Sequence, residues 1–450
     1  MGPFFIQNFG CRATQADGAA LESLLTAQGL QASADMGEAE LVILNTCTVT
    51  VEADRDVRQA VRRVVRENPS ASILVTGCYA QRAPEELAAL PGVRWVVGNS
   101  HKHTIPEILA AEAGAPADCR PCHGRILVGD IHAQALLTCP VMEAGADRTR
   151  PNLKIQDGCN NVCSFCIIPS VRGRSRSAPA DEVVRQVRNL SGRYREIVLS
   201  GINLGRWGRD VVRSGEGMYS PPRQRLVDLL RRLLAETPVE RLRLSSIEPM
   251  DCSDELLELM AREPRMAKHL HAPLQSGCDS VLRRMKRRYR ARHYEERIRR
   301  ARSLMPEAAI GADVMTGFPE ETENEFEESR KFIESLPFTY LHVFTYSERP
   351  GTPAANLAGQ VPVAVRKQRN AVLRQLAARK NLEFRRRFIG KRLSVVTLEE
   401  GWTGLSDNYL KVELATRRPA NRITEVDIAG VSAAGLCEQG PFRLLTDIRV

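Results

Sequence analysis

The stretch QDGCNNVCSFCIIPSVRGRSRS, residues 156–177, decides how the rest of the chain is interpreted. It places Cys159, Cys163 and Cys166 in a C-x3-C-x2-C spacing. Three thiolates at this spacing can ligate three irons of a 4Fe–4S cluster and leave the fourth iron open to a small molecule. Gly158 relaxes the backbone of the tight loop, and Phe165 adds an apolar shield beside the last cysteine. The residues therefore predict a cluster with one open iron.

Two other interpretations of the same cysteines are a structural zinc site and small buried core residues. Zinc would need a fourth Cys or His close by, and neither residue occurs again before Cys252. The spacing therefore favours the cluster.

Short apolar runs alternate with amphipathic segments on the carboxyl side of residue 152. This alternation predicts a complete or partial (βα)-type barrel over residues 145–384, whose ligands lie at the carboxyl ends of the strands. The predicted strands are LKIQDG, EIVLSG, RLRLSS, HLHAPL, AIGADVMTGF and YLHVFTY.

The first 135 residues show a similar alternation, with strands PFFIQNF, LVILNTC, SILVTGC and VRWVVGN and helices over Ala19–Leu30 and Asp54–Glu67. The pattern predicts a Rossmann-like parallel sheet domain over residues 1–135. Cys11, Cys47 and Cys78 each close a predicted strand, so their thiols could meet at one edge of the sheet. From the residues alone, a second cluster and ordinary core cysteines remain equally open.

Residues 362–388 form an Arg-rich helical pattern, and after Gly390 the sequence pattern changes to short β-type runs. The runs RLSVVTLEEG, WTGLSDNYLKVEL, ITEVDIAGVSAAGL and FRLLTDIRV are short and separated by turns. They predict a small antiparallel β-barrel over residues 385–450.

The formal charge of +10 favours an anionic partner such as nucleic acid. Two basic runs carry much of it: Arg283, Arg284, Lys286, Arg287, Arg288 and Arg290, then Arg385, Arg386, Arg387, Lys391 and Arg392. Trp402 and Tyr409 could stack on exposed bases, although a solvated helix face is the usual role of one charge run. The lack of an apolar run near 20 residues predicts a cytoplasmic protein with no membrane partner. In that compartment the 12 cysteines are expected to be metal ligands or free thiols rather than disulfides.

The C-x3-C-x2-C spacing, with an aromatic residue before the third cysteine, resembles the signature of the radical S-adenosylmethionine (SAM) superfamily. The resemblance implies that the open iron binds S-adenosylmethionine and that its reductive cleavage gives a 5′-deoxyadenosyl radical. It also implies cofactor contacts at later strand ends, each of which is equally well explained as turn chemistry. The implied contacts are Gly201, Asn203, Ser246, Glu248, Gln275, Asp313 and Gly317.

Together, the three predicted domains resemble the radical SAM methylthiotransferases over almost the whole chain. The resemblance implies that Cys11, Cys47 and Cys78 hold an auxiliary 4Fe–4S cluster that delivers sulfur. It further implies that the C-terminal barrel is a TRAM-like substrate-binding module, and that the partners are a tRNA anticodon stem-loop, a flavodoxin- or ferredoxin-like reductant and a sulfur donor.

The segment NTCTVTVEADRDVRQ is similar to the branch that inserts a methylthio group at C2 of N6-threonylcarbamoyladenosine in tRNA. The opening GCRATQADGAAL departs from the family pattern at Thr14 and at Asp17 or Gly18. Two other branches are alternatives, acting on isopentenyladenosine in tRNA or on an aspartate of a ribosomal protein. A non-catalytic iron–sulfur RNA-binding protein is an alternative of another class.

Cys119, Cys122 and His123, with Cys139 further on, fit none of these interpretations. They are either a zinc or redox pair or, as we expect from their place in a connector, incidental.

Overall fold

The computed structural model describes residues 2–112, 124–134, 137, 149–210 and 224–440. Three units follow one another along the chain, as predicted: a parallel sheet, an arc of parallel strands covered by helices, and a small closed barrel. The run FRLLTDIRV and the cysteines Cys119, Cys122 and Cys139 lie outside the described residues. Among the described helices, none combines the length and apolar character that a membrane crossing requires.

The N-terminal sheet contains five parallel strands in sequential order. They are Phe4–Asn8 (β1), Leu41–Thr46 (β2), Ser72–Gly77 (β3), Val93–Gly98 (β4) and Arg125–Leu127 (β5). The helices are Arg12–Ala27 (α1), Val51–Glu67 (α2), Cys78–Arg82 (α3), Pro84–Ala88 (α4) and Ile105–Glu112 (α5). Alternate strand residues feed two separate apolar cores, one under α2 to α4 and one under α1 and α5. Both faces of the sheet are therefore covered.

Two N-terminal helices begin earlier than the periodicity predicts. The first starts at Arg12 rather than Ala19, because the chain turns at Gly10, whose φ is +91°, and enters the helix directly after Cys11. The second starts at Val51 rather than Asp54, because the Thr50 hydroxyl accepts the Ala53 N–H and caps the helix. Both strand-to-helix connections are therefore short.

The central unit holds the six predicted strands, all parallel, and one short antiparallel strand, β7. The strands are Asn152–Asp157 (β6), Arg176–Ser177 (β7), Glu196–Gly201 (β8), Arg241–Leu244 (β9), His269–His271 (β10), Ala309–Thr316 (β11) and Tyr340–Thr345 (β12). The helices are Ile168–Arg172 (α6), Ala180–Ser191 (α7), Leu226–Glu236 (α8), Asp254–Arg262 (α9), Asp279–Arg284 (α10), Ala291–Leu304 (α11), Glu323–Ser335 (α12) and Val363–Arg386 (α13). Single bridges join β9 to β10, and the described residues show no pairing between β6 and β12. The arc is therefore a partial barrel that is open along one side.

Side chains alternate between the two faces of this arc. Those facing outward are apolar and pack on the helices in one large core, for example Leu270, Ile310 and Val314. Most of those facing inward are polar or aromatic and line a lumen. The lumen residues include Lys154, Gln156, Glu196, Ser200, Arg243, His269, His271, Asp313, Tyr340 and His342. A polar lumen predicts that the barrel holds a ligand rather than a packed core.

The C-terminal unit is a closed barrel of five strands in the order β13-β14-β15-β17-β16. They are Arg392–Thr397 (β13), Thr403–Ser406 (β14), Lys411–Glu413 (β15), Ile423–Val431 (β16) and Leu436–Glu438 (β17). Four pairings are antiparallel, as predicted, but β15 and β17 pair in parallel and close the barrel.

The turn between β14 and β15 seals the amino end of the lumen. Arg243 donates to the carbonyls of Ser406 and Asp407 in this turn, at 2.9 and 3.0 Å. The same guanidinium forms a buried two-bond pair with Glu196, at 2.7 and 3.0 Å. Burial alone would raise the pKa of Glu196, but the charge of Arg243 lowers it to about 2. One buried ion pair thus fastens the C-terminal barrel to the central one.

Arg243→Met should destabilise the protein by about 3 kcal/mol, because Glu196 keeps only its weaker partners and two carbonyls lose a donor. Urea unfolding of the variant measures this loss. Arg231→Met is the matched control, since Arg231 is half exposed and pairs with Asp228 on the helix surface, where about 0.5 kcal/mol is expected. Equal stability of the two variants would show that this pair does not hold the barrels together.

Candidate active site

The C-x3-C-x2-C loop lies between β6 and α6, at the carboxyl end of the first barrel strand. Two side-chain donors point at its sulfurs: Asn203 Nδ2 lies 3.6 Å from Cys159 Sγ, and Arg287 Nη1 lies 3.3 Å from Cys163 Sγ. Burial raises the pKa of Cys166 to about 12, and the neighbouring thiols add to the shift. Such a thiol gives up its proton when a metal takes its charge. The loop is therefore suited to metal ligation rather than to free thiolate chemistry.

The three N-terminal cysteines meet at the carboxyl edge of the first sheet. Cys47 directly follows β2, and Cys78 directly follows β3. Gly77 has a φ of +103°, and a Cβ there would lie 2.4 Å from the Thr46 carbonyl, so only glycine lets these two strand ends approach so closely. Burial, together with the charges of Cys78 and Cys11, raises the pKa of Cys47 to about 12. The thiols of Cys11 and Cys78 thus lie close enough to Cys47 for their charges to raise its pKa.

One of the N-terminal cysteines packs at the interface with the central unit. Cys78 packs against Ile167 and Val171, which follow the last cysteine of the barrel loop. Asn99, after β4, donates to the Val171 carbonyl at 2.8 Å and lies 3.5 Å from Cys78 Sγ. The N-terminal cysteine set therefore lies directly against the segment that follows the barrel cysteines.

An ion network that is largely shielded from solvent lies beside both sets. Arg172 donates to Asp17 at 3.0 Å and to both oxygens of Asp157 at 3.0 and 3.1 Å. Lys154 also binds both carboxylates, and Lys102 donates to Asp17 at 3.1 Å. Burial would raise the pKa of Asp17, but the charges of Lys102, Lys154 and Arg172 hold it well below its usual range. Three cations against two carboxylates leave one positive charge buried beside the cysteines, which favours an anionic cluster there.

The distances between the sulfurs of each cysteine set argue against a single zinc ion at either position. His271, Asp313 and His342 are the one set in the described ranges whose three ligand atoms all lie within 4.8 Å of one another. In neither cysteine set are the three sulfurs therefore as close together as they would be on a single zinc ion, where they lie about 3.8 Å apart. A 4Fe–4S cluster places each thiolate on a different iron and needs a wider spacing. The donor set at each position, three thiols, fits a cluster with one open iron.

Five of the seven residues expected to contact the cofactor lie at or just beyond strand ends around the barrel loop. Gly201 ends β8, and Asn203, with its Oδ1 buried and unpartnered, follows it. Ser246 and Glu248 follow β9, and Gln275 follows β10 with a positive φ of 70°. The orphaned Asn203 oxygen is an acceptor available to a ligand.

The other two expected contacts are differently placed. Asp313 lies inside β11, and its Oδ1 accepts from His271 at 3.1 Å and from His342 at 3.2 Å. The N–H of Gly317 is bound to the Glu321 carboxylate at 2.7 Å. Both residues are thus engaged by the protein itself, and their contact with the cofactor stays a prediction.

Two features of the site had no interpretable signal in the sequence. Arg287 belongs to a basic run that we assigned to RNA, yet it is buried against Cys163 and pairs with Glu248. It also lines a small pocket beside that cysteine, together with Glu248. The buried network could not be predicted because Asp17 and Arg172 are 155 residues apart.

Other members of the predicted RNA surface are also engaged internally. Arg284 pairs with Glu325 at 2.8 Å, and Arg392 pairs with Asp427 at 2.8 Å. Tyr409 is not available to stack on bases, because its ring stacks on His269 in the barrel floor at 4.3 Å between centroids. Trp402 remains 52% exposed. The basic surface is therefore smaller than the sequence suggests.

Comparison with known proteins agrees with this architecture. The radical SAM superfamily profile matches residues 153–333, and the uncharacterised family UPF0004 matches residues 3–98. The fold resembles that of TsrM from Kitasatospora setae, a radical S-adenosylmethionine methyltransferase, with a TM-score of 0.57 and 15% identity over 79% of this chain and 77% of that one. The fold and the barrel cysteines define a radical SAM protein, a class whose members bind a 4Fe–4S cluster and S-adenosylmethionine.

The relatives narrow the class. The threonylcarbamoyladenosine tRNA methylthiotransferases MtaB of Bacillus subtilis and Aquifex aeolicus are 36% and 34% identical, over 92% and 93% of this chain and 90% and 98% of theirs. The tRNA-2-methylthio-N(6)-dimethylallyladenosine synthase of Novosphingobium aromaticivorans is 32% identical over 97% of this chain and 95% of its own. The chain belongs to the radical SAM methylthiotransferase family, whose members carry a second cluster.

Arg172→Gln should destabilise the protein by about 3 kcal/mol, because it removes a buried guanidinium that both Asp17 and Asp157 share. Urea unfolding and iron content together test this, and both should fall. Arg174→Gln, two residues away and exposed, should change neither. A stable variant with full iron content would mean that the network does not hold the two units in place.

Proposed function

We propose that this protein inserts a methylthio group at C2 of N6-threonylcarbamoyladenosine, beside the anticodon of tRNA. The juxtaposition of the two cysteine sets carries the proposal, because it lets one substrate carbon meet both a radical source and a sulfur source. The names of the MtaB relatives support the choice of base. The similarity of the segment after Cys47 to that branch points the same way.

The chemistry divides between the two sets of ligands. Cys159, Cys163 and Cys166 would hold the cluster that binds S-adenosylmethionine and supplies the electron for its cleavage, and Cys11, Cys47 and Cys78 would hold the cluster that supplies sulfur. No protein side chain can remove an unactivated hydrogen from an adenine ring by acid–base chemistry. The protein's own part is to orient the base and to exclude water.

The residues around the barrel loop would position the cofactor. Asn203 has a buried free oxygen, and Arg287 holds Glu248 beside Cys163. Gln275 has the left-handed backbone that exposes a turn to a ligand. Gly201, Ser246, Asp313 and Gly317 complete the proposed set.

The same chemistry on dimethylallyladenosine is a second candidate, since a relative of 32% identity carries that name. The two substrates differ in the group on N6. The lumen is polar where this group would lie, which favours the threonylcarbamoyl form. An aspartate of a ribosomal protein is a further possible substrate within the family.

The proposal includes a cytoplasmic location, a flavodoxin- or ferredoxin-like reductant and a separate sulfur donor. The C-terminal barrel, residues 385–450, would contact the tRNA together with the exposed residues Arg283, Lys286 and Arg288. The domain limits that we propose remain 1–135, 145–384 and 385–450.

Deletion of the gene should remove 2-methylthio-N6-threonylcarbamoyladenosine from total tRNA and leave its unmethylthiolated precursor. Mass spectrometry of tRNA nucleosides measures both. Loss of the dimethylallyl product instead would select the second candidate. Unchanged nucleosides would direct the search to the ribosomal protein.

Cys163→Ala should abolish 5′-deoxyadenosine formation, because it removes a ligand of the proposed radical-forming cluster. Cys47→Ala should retain that cleavage but form no methylthio product. Chromatography of 5′-deoxyadenosine and of the methylthio product measures the two activities separately. Cys437→Ala, which removes a thiol from the C-terminal barrel, is the control and should leave both products at wild-type levels. Methylthio product from the Cys47 variant would contradict the auxiliary-cluster assignment.

A further inference from the structure

One arginine in the lumen lacks an acidic partner. Arg12 directly follows Cys11 and is half-buried, yet its guanidinium makes one hydrogen bond, to the Tyr409 hydroxyl at 2.8 Å. Within the described residues, no Asp or Glu forms an ion pair with it. A half-buried guanidinium is normally paired, since removing it from water is costly. Its unused donors therefore indicate an anionic ligand.

The nearby charges do not satisfy Arg12. Asp17, on the same helix, is taken by Lys102, Lys154 and Arg172. Arg243 lies 5.3 Å from the centre of the Tyr409 ring, at a similar distance to the 5.6 Å of Arg12, but it is neutralised by Glu196. Of the two guanidinium groups next to Tyr409, one is paired and one is not.

All three units place Arg12 in the lumen. The helix that it begins packs along the lumen side of β6, where Asp17 pairs with Lys154. The backbone carbonyl of Arg12 accepts from Asn152 at 2.7 Å. Tyr409, from the C-terminal barrel, stacks on His269 of the central barrel and holds the guanidinium at the floor.

The wall facing this helix is built from polar groups held in fixed orientations. The Tyr340 hydroxyl bonds to His269 Nε2 at 2.7 Å and to His271 Nδ1 at 3.0 Å. A Cβ on Gly311 would lie 2.0 Å from the Tyr340 ring, so glycine is needed for the ring to lie across β11. His342, with its side chain 54% exposed, completes the wall. A bound group here meets hydrogen-bonding partners rather than an apolar surface.

We propose that Arg12, held by Tyr409, binds the carboxylate of the threonylcarbamoyl group and so selects this substrate. The inference rests on the proposed function. An enzyme that modifies a base takes it out of the stack, so the ribose and phosphates stay at the mouth and the base edge enters deepest. With C2 between the cysteine sets, the N6 substituent extends along the lumen, where a carboxylate meets a guanidinium. A dimethylallyl group would instead leave Arg12 desolvated and unpaired.

The test compares two anticodon stem-loops, one with N6-threonylcarbamoyladenosine and one with its uncharged carboxamide. For each, kcat/KM for methylthiolation and the Kd from fluorescence anisotropy are measured with the reconstituted enzyme. The wild type should prefer the acid about 10- to 100-fold. Arg12→Gln should bring the ratio near one by lowering the value for the acid alone, and Tyr409→Phe should reduce the ratio partly. Both RNAs are assayed with one preparation, so incomplete cluster loading cancels.

Arg262→Gln is the matched control, because Arg262 is exposed at the end of α9, outside the proposed RNA surface, and its loss should leave the acid-to-amide ratio unchanged. An Arg12 variant that keeps the wild-type ratio, or that weakens both RNAs equally as a phosphate contact would, overturns the subsite. If the wild type modifies neither RNA, the proposed function is wrong. The ratio of the two Kd values then decides the subsite on its own.

Discussion

The arrangement of the molecule depends on one buried ion network, in which Arg172 and Lys154 join Asp17 to Asp157. Asp17 lies on the first helix of the N-terminal unit, and Asp157 ends the first barrel strand. Each carboxylate sits within a few residues of a cysteine set. Because a buried ion is tolerated only with its partners in place, the network allows one relative position of the two units. In that position Cys78 packs against Ile167 and Val171, which follow the barrel cysteines.

The consequence is a lumen whose walls come from all three units. The N-terminal helix packs against β6 and β8, and the β14–β15 turn seals the amino end of the lumen. Several inward side chains are paired with polar partners, as Lys154 is with Asp17 and Tyr340 with His269. Such a cavity is accessible at the carboxyl ends of the strands, where the barrel cysteines lie.

The sequence predicted the fold well because the spacing of apolar residues along the chain indicates which residues of each strand and helix are buried. The six barrel strands and the first four N-terminal strands are apolar runs, and each one forms. Helix starts were less predictable, since the Thr50 cap and the Gly10 turn are decided by single side chains. For the site, cysteines after strands could be located because strand ends converge. The partners of Asp17 could not be predicted, because ion pairs between distant segments leave no local pattern in the sequence. Arg287 could not be distinguished either, because it is a buried residue within a basic run whose other members are mostly exposed.

The residues proposed to hold the clusters are separate from those proposed to contact the N6 substituent. This separation explains how one family can act on different bases. The cysteines and the buried network are set by the chemistry and by the packing between units, so a change there costs stability or reactivity. The residues that meet the N6 substituent are under neither constraint. Among the described residues the guanidinium of Arg12 hydrogen-bonds to Tyr409 alone, and His342 is half exposed. A new substituent can therefore be accommodated by changing lumen side chains while the cluster sites remain as they are, which places selectivity and reactivity on separate residues of one cavity.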